Sequence, residues 1–382
     1  MNSSIGSNVI LAACLFAALV LTPHNAKAQT IPPIRVAIVG LVHGHVQGFL
    51  HNLPNHPEIQ LVGISEPDAA LRQHYIDHAH LPVNIFFPTE SAMLASTHPQ
   101  AILVYTSIAG HRAAIEQAAP LHIAAMVEKP LATTVEDALA IQRLSQKYNV
   151  PILTNYETTW YNSNTAAADI LASGKIGDLR KLVVHDGHKG PQEIGVGPEF
   201  LTWLTDPKQN GAGALFDFGC YGVDLATWIM HGELPLTVTA VTLHIKPQIY
   251  PNVDDDSTII LTYPHVQAII QGSWNWPFDR KDMEIYGATG YVDTLYESSA
   301  PGKQLRIRLP GETAEHIEDA PALAPPQNDA LNYLAAVLGG TLHPEHDLTS
   351  LDTNVTVVRI LDAARRSAQT GRTVTFDVKN QK

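Results

Sequence analysis

Glu128-Lys129-Pro130 is the run in this chain with the clearest chemical use. It sits near the end of what reads as a dinucleotide-binding half, where a lysine can face the nicotinamide of a bound cofactor. Three common residues meet by chance in many proteins, so the run takes its weight from what flanks it. Upstream, Gly40-Leu41-Val42-His43-Gly44-His45-Val46-Gln47-Gly48 follows a short β-rich stretch. A dinucleotide fold needs glycines there: one for the tight turn, another so that backbone can approach the pyrophosphate, with a helix N-terminus facing the charge. Gly40 is in place. Val42 and His45 stand where the second and third glycines belong, with Gly44 and Gly48 as partial compensation.

Glu66 closes a second apolar run in Ile64-Ser65-Glu66-Pro67-Asp68. An acidic residue there hydrogen-bonds the adenosine ribose and repels a 2′-phosphate, so NAD is expected over NADP. Thr106 and Ser107 end a further strand and His111 opens the next helix, which turns all three toward the ligand crevice. His43 and His45 line the same crevice. A metal cluster is the other use for three histidines. They come from separate loops, however, with no carboxylate at a recognisable spacing, and no metal is expected.

The elements that must hold these residues alternate over the first part of the chain. Ile34 to Val39, Gln60 to Ile64, Ala101 to Tyr105 and Ala124 to Val127 read as buried strands. Pro67 to Ala79, His111 to Ala119 and Thr134 to Tyr148 read as helices, the last capped by Thr133 or Thr134. Strand–helix alternation over 34–155 predicts a doubly wound parallel sheet. After residue 155 the pattern changes. Leu179 to His185, Leu236 to Ile245, Ser257 to Tyr263, Gln267 to Trp274 and Asp282 to Tyr286 read as strands without intervening helices, hence an open, mostly antiparallel sheet. Asp329 to Leu338 and Ser350 to Gln369 read as helices that pack on that sheet or back on the first domain. The expected fold is α/β: a Rossmann domain over 31–155 and an α+β domain over 156–382.

With 382 residues, 45% of them apolar, the chain can build two cores. A formal charge of −13 disfavours nucleic acid or an anionic membrane as partner. Val9 to Leu21 is almost wholly apolar and Ala26-Lys27-Ala28 is a small-x-small cleavage signal, so residues 1–28 read as a secretory leader and the protein as exported, to a periplasm. No Lys or Arg precedes the apolar run, and there is no twin-arginine pair. Leu11-Ala12-Ala13-Cys14 offers a lipoprotein alternative with an anchor on Cys14. Without the leader, Cys220 is the only cysteine, which excludes an intrachain disulfide and a cysteine-based zinc site.

Taken in order, several motifs resemble the Gfo/Idh/MocA oxidoreductases, the glucose–fructose oxidoreductase and inositol dehydrogenase group. The likeness runs through Gly40, Glu66, Thr106 with His111, Glu128-Lys129-Pro130, Gly174-Lys175-Ile176-Gly177 and Gly213-Ala214-Leu215-Phe216-Asp217-Phe218-Gly219. It continues to Leu361-Asp362-Ala363-Ala364 and Gly371-Arg372-Thr373-Val374. The resemblance implies an active site between two domains, with Lys129 as its lysine and Asp217 as the aspartate of its second motif. Four residues on, where a histidine acid/base is usual, this chain has Tyr221. Tyrosine there is a variant that the resemblance associates with glucose–fructose oxidoreductase and dimeric dihydrodiol dehydrogenase, and it argues against the inositol-dehydrogenase branch.

Oxidising a secondary alcohol sends a hydride to the nicotinamide and a proton to a base. A free tyrosine, with a pKa of about 10, is a poor base near neutrality. An ammonium beside it stabilises the phenolate, and Lys129 is the expected source. Asp217 and Tyr221 share a face if the segment is helical, and Asp217 then binds a substrate hydroxyl or orients Lys129. The family often has an arginine in the stretch Asn155 to Asn162, and this chain has none. Trp160 and Tyr161 offer flat faces for a sugar ring, Glu157 binds hydroxyls, and His188 and Trp276 complete the expected substrate surface.

Three functions compete at this stage. The first is a nicotinamide-dependent oxidoreductase of a sugar or polyol, its NAD held tightly and recycled. The second is an NAD-dependent glycoside hydrolase working by transient oxidation and elimination. The third is a sugar-binding protein without catalysis, which Val42 and His45 favour. A homodimer or homotetramer is expected from an exposed sheet face.

Overall fold

In the computed structural model, residue 1 and residues 32–78 and 81–376 are described. The apolar leader run, its cleavage signal and Cys14 lie outside the described residues. Among the described residues, no helix is long and apolar enough to cross a membrane.

The first sheet contains β1 (Ile34–Val39), β2 (Ile59–Ser65), β3 (Phe86–Phe87), β4 (Ala101–Val104), β5 (Ala124–Glu128) and β6 (Ile152–Asn155). All neighbours are parallel, in the order β3-β2-β1-β4-β5-β6. The helices between them are α1 (His45–Asn52), α2 (Ala69–His78), α3 (Glu90–Thr97), α4 (His111–Ala118) and α5 (Val135–Tyr148). β4 and β5 are buried at every position, which is why they read as unbroken apolar runs rather than alternating ones. Thr134 caps α5, its hydroxyl accepting the Asp137 N–H.

The strand order reverses between β1 and β4, and ligands of such sheets bind in the crevice outside the carboxyl ends of those strands. Gly40 makes the turn there with φ of +82°. A Cβ on it would lie 2.7 Å from Thr106 Cγ2 and 3.0 Å from the Thr106 backbone, so no other residue fits.

The second sheet is built from β7 (Leu179–Gly187), β8 (Thr237–Leu243), β9 (Asp256–Thr262), β10 (Gln267–Ser273), β11 (Arg280–Gly287), β12 (Tyr291–Leu295), β13 (Gln304–Arg308), β14 (His316–Asp319) and β15 (Val374–Thr375). Its order is β14-β13-β12-β11-β7-β10-β9-β8-β15, antiparallel throughout except for β7 beside β10. Strand alternation is clean in β9 and β10, one face in the core and the other half-exposed.

Helices do intervene in this half, contrary to the sequence expectation. They are α6 (Asn162–Ala172), α7 (Pro198–Leu204), α8 (Pro207–Asn210), α9 (Ala214–Asp217) and α10 (Gly219–Ile229). The clearest case is α10, in which ten of eleven residues are buried. A helix covered on all sides has no polar face, so it leaves no helical period to read. Near the end of the chain come α11 (Ala330–Leu338) and α12 (Leu351–Thr370). Leu331, Leu334 and Val337 of α11 share a cluster with Val36, Ile38, Leu103 and Met126 of the first sheet. Val355 and Val358 of α12 join the cluster on its other face, while Val357, Ile360 and Leu361 pack under the second sheet. These helices bind the two sheets into one body.

One buried carboxyl gives this fold a measurable pH dependence. Glu90 opens α3, is 9% exposed, and accepts one hydrogen bond from Gln117 Nε2 at 2.9 Å. Burial raises it from the ordinary 4.5 to about 8. The unfolded chain loses this proton near pH 4.5 and the folded chain near pH 8, so stability falls as pH climbs between the two. Glu90→Gln is therefore expected to melt above the parent at pH 8 and level with it near pH 4.5. Thermal melts of both proteins at the two pH values measure it.

Candidate active site

Lys129 follows β5 directly, so the sheet delivers its side chain to the carboxyl end of the strands. Asp217 arrives from the opposite half, at the end of α9. That short helix is fixed by Asp254, whose carboxylate accepts the Gly213 N–H at 2.8 Å and the Leu215 N–H at 2.7 Å. The Asp254 carbonyl accepts the Ala214 N–H at 3.0 Å. A Cβ at residue 213 would fall 1.7 Å from that carbonyl oxygen, so glycine is required for the approach.

The two halves meet in a buried ion pair. Lys129 Nζ donates to Asp217 Oδ1 at 2.6 Å and to the Asp217 carbonyl at 2.9 Å. Trp274 Nε1 donates to the other carboxylate oxygen at 2.9 Å. Burial opposes both charges, but mutual attraction outweighs it, raising the lysine and lowering the aspartate. Asp217 and Tyr221 belong to different helices, with Phe218 between them, rather than to one helical face. Asp217 is thus in direct hydrogen-bonding contact with Lys129.

Tyr221, in the first turn of α10, is 1% exposed. Two ammonium groups lie over its ring, Lys129 Nζ 4.8 Å and Lys281 Nζ 4.6 Å from the centroid. The hydrogen bonds of Lys129 go to Asp217, and the ammonium addresses the face of the ring. Burial, then the carboxylates of Glu157 and Asp186, push the phenol well above its ordinary value. At neutral pH Tyr221 is a proton-carrying phenol, and a phenolate is reached only against that bias.

Lys281 was missed at the sequence level, and it meets Asp186 of β7. They are directly opposed in the β11–β7 ladder, which puts both side chains on the buried face of the sheet. The sequence places the strand start at Asp282, one residue too late to include Lys281. Lys281 forms an ion pair with Glu157, whose other oxygen accepts the Tyr161 hydroxyl at 2.6 Å. Asp186 is 1% exposed, has no partner for either oxygen among the described residues, and is raised by burial. Trp274 is core and also holds Asp217.

Lys129, Asp217, Tyr221, His188 and Lys281 line one cavity of about 720 Å³, which continues past Gly44, His45 and Gln47 of α1 to Leu71 and His74 of α2. A second, of about 540 Å³, shares Gly44, His45 and Gln47 and is lined by Glu128, Glu157 and Trp160. Trp160 thus faces a different cavity from Tyr221, its Nε1 donating to Asn155 at 3.0 Å. Tyr161 is buried behind Glu157, with Gly302 against its ring. Trp276 packs beside His185 and Gly187 and lines neither of these cavities. These two aromatics are corrections to the expected substrate surface.

The cofactor residues divide in the same way. Gly44, His45, Glu128 and Lys129 line the cavities. Glu66 does not. It is 3% exposed, and its oxygens accept the Leu41 N–H at 2.8 Å and the Asp68 N–H at 2.9 Å, so it braces the glycine loop from below. His43 and His111 are also buried, His43 under Phe200 and Trp203, and His111 with Nδ1 3.2 Å from the Leu131 carbonyl. Trp203 Nε1 donates to the Val42 carbonyl at 3.1 Å, and Ser107 to Gln209 at 2.6 Å, so α7 and α8 close over the loop. Thr106 walls Gly40. A dinucleotide fits this site at the α1 end and at Lys129, where the long cavity runs between them. At the end of β2, both Glu66 oxygens are already engaged by the Leu41 and Asp68 N–H groups.

Comparison with known proteins agrees with this architecture. A family model for an oxidoreductase family with an NAD-binding Rossmann fold matches residues 34–156. A model for the GFO/IDH/MocA C-terminal domain matches residues 165–293. D-apiose dehydrogenase of Rhizobium rhizogenes is 25% identical, the match covering 71% of this chain and 77% of that protein. The aldose-aldose oxidoreductase of Caulobacter crescentus, crystallised with glycerol, superposes with a TM-score of 0.74 at 22% identity, over 90% of this chain and 100% of that one. An inositol dehydrogenase homolog from Azotobacter vinelandii, in complex with NAD+, gives 0.75 at 17% identity, over 90% and 98%. The structural likenesses speak for the fold. The family models span both halves, and this chain belongs to the Gfo/Idh/MocA oxidoreductase family.

Proposed function

We propose that this protein interconverts one carbinol of a sugar or sugar-like polyol and the corresponding carbonyl, with a nicotinamide dinucleotide as redox partner. The observation that carries the proposal is the convergence of Lys129, Asp217 and Tyr221 on one cavity that extends to the N-terminus of α1. The sugar dehydrogenases among its relatives support the substrate class.

When bound, the cofactor takes or returns the hydride. The chain's own residues handle the proton and the alignment. In the reducing direction Tyr221 gives its phenolic proton to the substrate oxygen, and Lys129 and Lys281 stabilise the phenolate that remains. In the oxidising direction Tyr221 takes that proton back. Asp217 holds the Lys129 ammonium in place, and by pairing with it damps its pull on the phenol. His188 and Glu157, the latter through Lys281, border the substrate end.

NAD is proposed over NADP because an acidic residue, Glu66, stands at the end of β2, although its oxygens are engaged. Export is proposed from the apolar run and cleavage signal near the N-terminus, and a tightly held, recycled cofactor follows from the scarcity of free dinucleotide expected outside the cytoplasm. Val241 and Leu243 of β8, and Ile245 just after it, stand exposed and support pairing with another copy.

Denaturing purified protein and assaying the supernatant for nicotinamide dinucleotides tests the cofactor. NAD(H) near one per chain is expected, and only NADP(H) would reverse the proposed choice. Protein with no bound dinucleotide and no affinity for an added one would overturn the redox function. Aldoses, polyols and aryl glycosides then divide the chemistry. Carbonyl product without aglycone release is expected, whereas aglycone release without net cofactor change would make the protein a hydrolase.

A further inference from the structure

We infer that His43, His45 and Glu128 form a binding site for a divalent first-row transition metal, placed where the two cavities meet. The sequence spaces these residues without a metal-site pattern, because the carboxylate lies 83 residues from His45. The fold closes that gap. One ring nitrogen from each histidine and one oxygen of Glu128 lie within 4.8 Å of one another. His45 Nδ1 is already 2.9 Å from Glu128 Oε2.

An ion pair between His45 and Glu128 would account for that one contact but not for the histidines around it. His43 is 1% exposed and its Nε2 has no partner among the described residues. Its Nδ1 receives only a long contact, 3.3 Å, from the His45 N–H, so little hydrogen bonding holds the ring away from a metal. Behind them His111, wholly buried, turns Nδ1 toward the Leu131 carbonyl and leaves its Nε2 unpartnered. Buried imidazole nitrogens without a partner are costly, and a cation relieves that cost.

Two imidazoles and one carboxylate are the donor set of open zinc sites and of the facial iron triad. Zinc–ligand bonds of about 2.1 Å place ligands roughly 3.4 Å apart, so the side chains need close by no more than about 1.4 Å. Glu128 also offsets the positive end of α1, which by itself repels a cation. The His45 side chain is 42% exposed and lines both cavities, which leaves the remaining coordination positions open to them. Their exchangeable ligands are oxygens of whatever occupies the cleft, hydroxyl or phosphate. The inference does not rest on the redox function, since metal binding is read without turnover.

The test uses untagged full-length protein, stripped with a chelator and titrated with Zn²⁺ or Co²⁺. One ion per chain is expected by elemental analysis, with a Co²⁺ visible spectrum of a nitrogen–oxygen site. His45→Ala removes a half-exposed side chain, and Glu128→Gln keeps the shape of its residue. Each is expected to weaken binding at least roughly tenfold with circular dichroism unchanged, while His51→Ala on the same helix binds as the parent does. An affinity unchanged in both site variants, or no ion retained by the parent, would overturn the site.

Discussion

Lys129→Met is expected to lower kcat roughly 10³-fold or more and to lower the melting temperature as well. The activity loss follows from position. Lys129 supplies the ammonium at the carboxyl end of β5, borders the cavity, and lies 4.8 Å from the Tyr221 ring. The stability loss follows from burial. The Asp217 carboxylate would keep Trp274 as a donor but lose its counter-charge, and breaking a buried pair costs about 3–5 kcal/mol, less whatever protonation of the carboxyl returns. A second substitution separates the two effects. Lys129→Met with Asp217→Asn removes both charges and is expected to recover most of the stability and none of the turnover. Calorimetry and steady-state kinetics on the three proteins measure this. Recovery of activity in the double variant would mean that the lysine serves only to neutralise Asp217.

Tyr221→Phe is expected to cost about 10²–10⁴ in kcat, as loss of a general acid does, and to leave stability nearly unchanged. The ring keeps its packing, with Tyr156 edge-on at 5.5 Å and both ammonium groups over it. Only the hydroxyl is lost. The pH dependence follows from the raised phenol. Burial and the nearby carboxylates keep it protonated through neutral pH, so the reducing direction runs flat there and the oxidising direction rises with pH. Lys281→Met removes a positive charge from the ring, raises the phenol further, and is expected to move the rise of the oxidising direction to higher pH. A shift to lower pH would assign the titrating group elsewhere.

The first half of the fold was legible because its central strands are apolar runs and helices such as α3 and α5 open on threonine caps. Thr134 and the fully buried β4 and β5 are examples. The parallel contact of β7 with β10 was not legible, because nothing local distinguishes a strand that pairs with a distant parallel neighbour. Nor was α10, buried on every side. The site divides along the same line. Lys129, Asp217 and Tyr221 could be named from motifs, and they do converge. Lys281 and Asp186 owe their places to cross-strand register, which a strand boundary one residue out conceals. Glu66 stands at the strand end that the dinucleotide pattern requires, yet its carboxylate turns inward to the loop N–H groups, a direction that residue type alone does not fix. His45 and Glu128 were each read as cofactor residues, and their contact across the crevice depends on the closed sheet.

The most direct measurement of the central claim is a single turnover with dinucleotide bound, followed by the near-ultraviolet absorbance of the reduced nicotinamide. A sugar or polyol substrate should reduce close to one equivalent per chain in the parent. Lys129→Met/Asp217→Asn, with the same cofactor occupancy, should give no reduction on that timescale. Equal amplitude and rate in the two proteins would place the chemistry away from Lys129 and contradict the account.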